Sequence, residues 1–295
     1  MADRPFVDGP PGAAPDVWAA ARAAAGHWGL HAPVLLRLGM NGIFNAGGVV
    51  LRVGRVTAEP AAAIELAEVL RDAGLRVPAP ARTDAVAHGP LTVTAWERLR
   101  LVDTEPDWRS IGTMVRTVHE LPLASIPSRY PAPRGEDFPW WRFDDLLAEV
   151  ADDVDEAARR GLDDVVERHR GWQGTGGDVV CHGDVHPGNV AMTADGPVLI
   201  DWDLLCLAPP GWDHAMMLRA DRWGYPTRWY DELAAGYGRS FAADPTAIAI
   251  AELRLVAATL MRLRAGRADA AAMPEARRRL AYWRGDPDAP VWRAQ

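Results

Sequence analysis

Cys181-His182-Gly183-Asp184-Val185-His186-Pro187-Gly188-Asn189, followed by Leu199-Ile200-Asp201-Trp202-Asp203, is the densest polar signal in the chain. Val179-Val180-Cys181 leads into it as an apolar strand. Val190–Met192, a turn at Ala194-Asp195-Gly196, and Val198–Ile200 then read as a hairpin. Carboxylates and an amide set among apolar strands need a cation or hydrogen-bond donors to offset their desolvation. Asp184 and Asn189 share a loop in which Pro187 and Gly188 let the chain curl, so both side chains can turn toward one point. Asp201 follows an apolar strand directly, and the hairpin brings it back beside Asn189. Hard oxygen donors in this arrangement suit Mg²⁺, which keeps waters and shares its coordination sphere with substrate phosphates.

Upstream, Asp16 to about Trp28 is alanine-rich and reads as a helix capped by Asp16. Ala32–Leu38 and Val49–Val53 read as strands joined by the glycine- and asparagine-rich connection 39–48. Ala61–Ala73 is a helix stopped by Gly74, with Pro78 just beyond, and Leu91–Ala95 is a further strand. This order makes a small α+β unit. From Asp107 the pattern turns helical. Ile111, Met114, Val115, Val118 and Leu121 recur at helical spacing, and Phe143, Leu146, Leu147, Val150 and Val154 do the same in an acidic segment. Ala247–Arg264 is a third strong helix. The boundary falls near Glu97–Val102, giving lobes of 1–97 and 98–295.

The chain has 295 residues, 48% hydrophobic and 24% charged, which suits two lobes with full cores and excludes disorder. All 32 basic residues are arginine, so no lysine can supply a Schiff base. The net charge of −8 repels nucleic acid and anionic membrane, and neither is an expected partner. No apolar run is long enough for a membrane span. The opening Met1-Ala2-Asp3-Arg4-Pro5 carries no secretory pattern, and Cys181 and Cys206 have no metal-like spacing. A reduced cytoplasmic protein with two buried thiols is expected. The negative charge is concentrated between Glu136 and Glu167, where twelve acids face three arginines.

The two motifs together resemble the aminoglycoside phosphotransferase and choline-kinase-like branch of the protein-kinase-like superfamily, with its HGDxxxxN loop and following I-D-[FW]-[DE] strand. The resemblance implies an α+β, bilobal kinase-like fold, with a small antiparallel-sheet lobe and a mainly helical lobe. It implies ATP and Mg²⁺ as cofactors, with Asp184 as catalytic base and Asn189 and Asp201 as metal ligands. Asp203 either joins them or braces the loop. Gly39, Asn41 and Gly42 are the candidate phosphate loop, because glycine lets backbone amides approach closely. Arg52 stands where the family carries its phosphate-pairing lysine, a departure from protein kinases that related small-molecule kinases share, with Glu65 as its expected partner and Glu68 one turn on as the alternative. Ala95 and Trp96 belong to the expected hinge beside adenine. His182 and His186 read as loop braces, and Trp212-Asp213 as a family feature that stabilises the helical lobe.

The expected activity is transfer of the γ-phosphate of ATP to a hydroxyl of a small molecule of amino sugar, aminoglycoside or amino alcohol type. The acidic segment offers a surface for a cationic acceptor. Its acids nevertheless lie mostly off the apolar stripe, as on any solvated helix face. Trp140, Trp141, Trp223 and Trp229 read either as stacking platforms or as core. Two other functions fit parts of the pattern: a nucleotide-binding pseudokinase without turnover, and a metal-dependent phosphohydrolase built on Asp184-Val185-His186. The second lacks its other ligand motifs.

Overall fold

The computed structural model describes residues 11–173 and 177–293, so the opening stretch 1–5 lies outside the described residues. In chain order the elements begin with α1 (Ala14–His27), β1 (Val34–Leu38), β2 (Gly42–Asn45), β3 (Val49–Arg55), α2 (Pro60–Asp72), β4 (Val86–His88), β5 (Leu91–Glu97) and α3 (Trp108–His119). They continue through α4 (Phe143–Glu149), α5 (Glu156–Arg168), β6 (Val179–Cys181), β7 (Val190–Thr193), β8 (Gly196–Leu199) and β9 (Cys206–Ala208). The last are α6 (Gly211–Leu218), α7 (Arg228–Tyr237), α8 (Pro245–Ala268) and α9 (Met273–Trp283). Two compact units result. The first takes the described residues of Met1–Asp107, Glu120–Pro133 and Pro187–Leu205, and the second those of Trp108–His119, Arg134–His186 and Cys206–Gln295.

The first unit is built on an antiparallel sheet of order β1-β2-β3-β5-β4, with the β7–β8 hairpin as a separate pair. Side chains alternate across a pleated sheet. Phe44, Leu51, Val53, Leu91, Val93 and Ala95 therefore share one face, which packs against Val17, Ala20, Ala21, Ala24 and Ala25 of α1. The alanines let the helix lie close to the strands. A Cβ on Gly42 would come within 2.5 Å of Val17 Cγ1, so glycine is required there. Helix α1 starts at Ala14 with Ala13 as its cap, not at Asp16. Pro15 sits in the first turn, where its missing N–H costs nothing, and Asp16 lies in that turn near the positive end of the helix dipole. The connection 39–48 also departs from expectation. It contains strand β2, because Ile43 and Phe44 lie between two separate turns.

In the second unit α3 packs on α7, α6 on α8, and α8 on α9, while β6 pairs with β9. The acidic segment is not one helix. Helix α4 ends at Glu149, a single 3-10 turn spans Ala151–Asp153, and α5 restarts with Asp155 accepting the Ala158 N–H as N-cap. Phe143, Leu146, Leu147 and Val150 are buried as the periodicity requires. Trp140 stacks on Phe138 and Trp229 stacks on Tyr225 beside Trp108, which makes these two buried indoles core, while Trp223 is half-buried and meets Trp292 edge-on. Among the described residues no helix is long and apolar enough to cross a membrane.

His214 on α6 is fully buried, lies against Tyr230, Tyr237 and Phe241, and has neither ring nitrogen hydrogen-bonded. Burial pushes its imidazole down to about 3, and the positive charge of His119 adds to the effect. The unfolded chain takes up this proton near pH 6.5, whereas the folded chain does so only near 3. The stability is therefore fully present above pH 6.5 and is lost as pH falls through that window, at about 1.4 kcal/mol per pH unit. Urea unfolding at pH 6.5 and pH 5 checks this. Native protein should lose about 2 kcal/mol more over the interval than His214→Phe.

Candidate functional site

In the first unit the sheet face opposite α1 carries the candidate nucleotide residues. Arg52 stands opposite Ile43 on β2 and Thr94 on β5. Two residues on, Trp96 shares this face and donates its indole N–H to Thr94 Oγ1 at 2.9 Å. Asn41 folds its carboxamide over Gly54, where any Cβ would collide with it, so the loop is closed down onto β3. The Gly39 N–H donates back to Asn41 O at 3.0 Å and tightens the same turn. Gly39, Asn41 and Gly42 thus form a hairpin between β1 and β2 on the edge of the sheet that carries Arg52.

The β7–β8 hairpin places the metal candidates. Asn189 is buried in a 3-10 turn that leads into β7, and its carbonyl accepts the Ile200 N–H at 3.0 Å. That bond extends the ladder past Val190–Leu199 and sets Asn189 and Asp201 at one end of the hairpin. Asp201 is the sole non-glycine with positive φ among the described residues, at φ 63° and ψ 70°. Such a conformation is held against its local cost by the surroundings. Trp202 supplies part of that hold, through its carbonyl to the Tyr130 hydroxyl at 2.8 Å. The Arg52 guanidinium is hydrogen-bonded to the Asp203 carboxylate, and its Nη2 lies 3.9 Å from Asp201 Oδ1. Burial pulls the Arg52 pKa down, but the two aspartates outweigh it and raise it.

Two expectations are not met here. Arg52 pairs with Asp203 and Asp201, while Glu65 and Glu68 stand exposed on α2 with no ion pair among the described residues. A helix face two turns long was consistent with either glutamate, and the sequence carried no sign that the carboxylates would come from residues 201 and 203. Ala95 is committed to the sheet: its side chain packs in the α1 core and its carbonyl accepts the Ala81 N–H at 2.9 Å.

The second unit holds Asp184. Asp213, fully buried on α6, accepts the His182 and Gly183 N–H groups at 2.8 Å each and lies 3.1 Å from His119 Nε2. Burial raises the Asp213 carboxyl pKa, yet the His119 hydrogen bond, the electrostatics of His119 and His182 and the Gly183 amide bring it below its ordinary value. Two side chains converge on Gly183 O: Trp212 Nε1 at 3.2 Å and Arg254 Nη2 at 2.6 Å. His182 Nδ1 accepts the Asp184 N–H at 3.2 Å, which makes it the loop brace expected. Asp184 is half-buried, with His186 Nε2 at 3.3 Å and Arg254 Nη2 at 3.5 Å from its oxygens. Burial pushes this carboxyl up, but His186, Arg254 and His182 outweigh it and hold it well below the usual carboxylate range. His119, Cys181 and Asp213 form the one trio of metal-capable side chains close together among the described residues. The Asp213 oxygens are already taken by the loop, and burial pushes the Cys181 thiol well up, so the trio is a brace.

Arg254 escaped the motif reading. Its one sequence signal is a charge amid Leu253, Leu255 and Val256, on a helix read as apolar; it is buried, with its guanidinium over the Trp212 ring at 5.4 Å. Part of the acidic segment is answered by arginines within the fold. Glu149 pairs with Arg264, Asp153 with Arg267, Asp155 with Arg284 and Asp163 with Arg159.

Against this geometry the comparisons are specific. The family model of the phosphotransferase enzyme family, APH, matches residues 45–255. The chain belongs to that family. No curated protein matches it in sequence. Among solved structures, the GDP complex of aminoglycoside 2′-phosphotransferase-IIIa is 14% identical with a TM-score of 0.67, over 91% of this chain and 97% of that one. Amicoumacin kinase hAmiN, in complex with AMP-PNP, Ca²⁺ and Ami, is 14% identical with a TM-score of 0.66, over 92% and 94%. Macrolide 2′-phosphotransferase MphH from Brachybacterium faecium is 18% identical with a TM-score of 0.57, over 91% and 98%. The expected α+β kinase-like fold is therefore found, and family and fold together support a small-molecule kinase.

The two contacts of Arg254 generate a prediction. Removing a buried cation that answers both Gly183 O and Asp184 should cost about 2–4 kcal/mol in Arg254→Met, measured by urea unfolding. Combined with Asp184→Asn the loss should be less than additive by about 1 kcal/mol, because the two share one interaction.

Proposed function

We propose that the chain transfers the γ-phosphate of ATP to a hydroxyl group of a small molecule. The observation that carries the reading is the end of the β7–β8 hairpin, where the Asn189–Ile200 bond sets an amide and the Asp201 carboxylate together and Arg52 answers Asp201 and Asp203. A donor set of one amide and two carboxylates, all hard oxygen, fits Mg²⁺ and not a thiol- or imidazole-seeking metal. Asn189, Asp201 and Asp203 would hold it. When bound, Mg²⁺ neutralises charge on the β- and γ-phosphates.

The chain's own groups then have distinct tasks. Arg52 offers its guanidinium to the phosphates from the sheet face it shares with Asn41 and Trp96, and arginine keeps its charge through the whole reaction. The Gly39–Gly42 hairpin, held down on β3, offers backbone amides to the same phosphates. Ala95 drops out of the nucleotide set, and Glu65 drops out as the partner of Arg52. Asp184 accepts a hydrogen bond from the acceptor hydroxyl and takes its proton as the oxygen bonds to the γ-phosphorus and the bond to the β-phosphate oxygen breaks, leaving ADP. Its depressed pKa keeps it ionised at neutral pH, so it is always ready to orient that hydroxyl. The acceptor is a small hydroxyl compound of amino sugar, aminoglycoside or amino alcohol type: part of the acidic segment is paired with arginines, while Asp144 and Asp145 stay exposed.

A second reading, nucleotide binding without turnover, draws on the same Arg52 contacts, since the guanidinium sits on carboxylates that the metal needs. Turnover decides between them. With a panel of amino sugars, aminoglycosides and amino alcohols, Mg·ATP should give phosphorylated product detectable by mass spectrometry, and chelation should abolish it. Asp184→Asn should lower the rate by about 10²–10⁴-fold while ATP affinity changes little. Unchanged turnover in that variant would refute the base assignment, and binding of Mg·ATP with no product from any acceptor would favour the second reading.

A further inference from the structure

A cavity of about 580 Å³ opens in the first unit, bounded by the last turn of α2, the segment after β5 and the β7–β8 turn. None of the residues assigned above to nucleotide, metal or base lines it. Four arginines do: Arg71, Arg76, Arg98 and Arg100, against Glu97 and Asp195. In a chain of net charge −8, this is a local excess of positive charge.

The partners of these arginines show which charges are answered. Arg71 donates to Val77 O at 3.1 Å and lies 3.9 Å from Glu97, so it and Glu97 offset one another. Arg76 spans the β7–β8 turn, donating to Asp195 O and, at 3.1 Å, to Thr193 Oγ1. Those contacts fix its guanidinium without giving it a carboxylate. Arg98 and Arg100 are exposed and have no ion pair or side-chain hydrogen bond among the described residues. Three guanidinium charges thus share one concave surface with a single carboxylate, Asp195, left to balance them.

Guanidinium groups bind phosphate oxygens in pairs of parallel hydrogen bonds, and a fixed one loses little entropy on binding. Several around one cavity can divide the oxygens of two linked phosphates. We infer that this cavity binds a small molecule bearing a diphosphate group. The site is separate from the proposed ATP site and does not depend on the kinase reading.

Titration calorimetry of the full chain at constant ionic strength, without divalent metal, tests it with sodium pyrophosphate and with ADP as probes. Pyrophosphate should bind one per chain. Arg98→Ala/Arg100→Ala should weaken it about tenfold or more, as loss of charge-assisted hydrogen bonds requires. Arg52→Ala should leave it within about twofold, since that guanidinium lies on the other side of the assignment. In the Arg52→Ala chain, pyrophosphate binding with no ADP binding that depends on Arg98 and Arg100 assigns a free diphosphate, and ADP binding that Arg98→Ala/Arg100→Ala weakens about tenfold assigns a nucleotide diphosphate. Thermal unfolding of each variant shows that it is folded, and Arg98→Gln/Arg100→Gln repeats the test with longer side chains. Absence of pyrophosphate binding would overturn the proposal. So would binding that the Arg98/Arg100 variants leave intact or that Arg52→Ala removes.

Discussion

Asp213 is a carboxylate with no access to water, and the 182–184 loop is built to answer it. A buried charge survives only if donors surround it. Here they are the His182 and Gly183 amides and the His119 ring, the last held in turn by the Tyr237 hydroxyl at 3.0 Å. Because two of the donors are backbone groups, satisfying Asp213 fixes the path of the chain into Asp184. Gly183 takes a left-handed conformation, φ 92°, to present both amides to one carboxylate. The carbonyl of Gly183 then faces the other way and is met by Trp212 and Arg254. Two backbone amides of this loop are thus committed to neutralising one buried acid.

The first unit solves a similar problem by different means. Asp201 and Asp203 are only partly buried, and their charge is answered by the side chain of Arg52. A side chain can release its partners when a better-matched cation or anion arrives, whereas backbone amides cannot. The contrast separates a permanent brace from an exchangeable one. It also gives the absence of lysine a physical meaning at this position: guanidinium can bridge two carboxylates, or two phosphate oxygens, through several donors at once, which a single ammonium does less well.

How much of this was legible in the sequence depended on whether the deciding contacts were local. The β7–β8 hairpin, the loop from Cys181 to Asn189 and the placement of Arg52 within β3 were readable because apolar runs and turn residues fix them within a few positions. Strand β2 was hidden, since Gly42 and Asn45 gave its four residues the composition of a turn, and their pairing with β1 and β3 is tertiary. Strand β9 was missed for the same reason, as Cys206–Ala208 becomes a strand only by meeting Val179–Cys181. The break between α4 and α5 kept the apolar periodicity on both sides, so the spacing carried no trace of it. Arg254, 70 positions after Asp184, and the pairing of Arg52 with residues 201 and 203 are long-range contacts that motif spacing cannot encode.

Arg254 couples two properties that are often treated separately. Its Nη2 holds Gly183 O and also lies near Asp184, so the group that fixes the loop would weaken Asp184 as the proposed base. Each unit of pKa depression costs the proton acceptor about 1.4 kcal/mol of driving force. For a reaction in which early proton removal drives nucleophilic attack, that would be a poor arrangement. Phosphoryl transfer through a loose transition state is different: the attacking oxygen gains little bonding before the leaving group has departed, and its proton becomes acidic late. A weak base in a fixed position then gives up little, because most of the barrier is lowered by alignment and charge neutralisation. The cation beside Asp184 is thus compatible with the proposed chemistry and poorly suited to hydrolysis that begins with deprotonation of water.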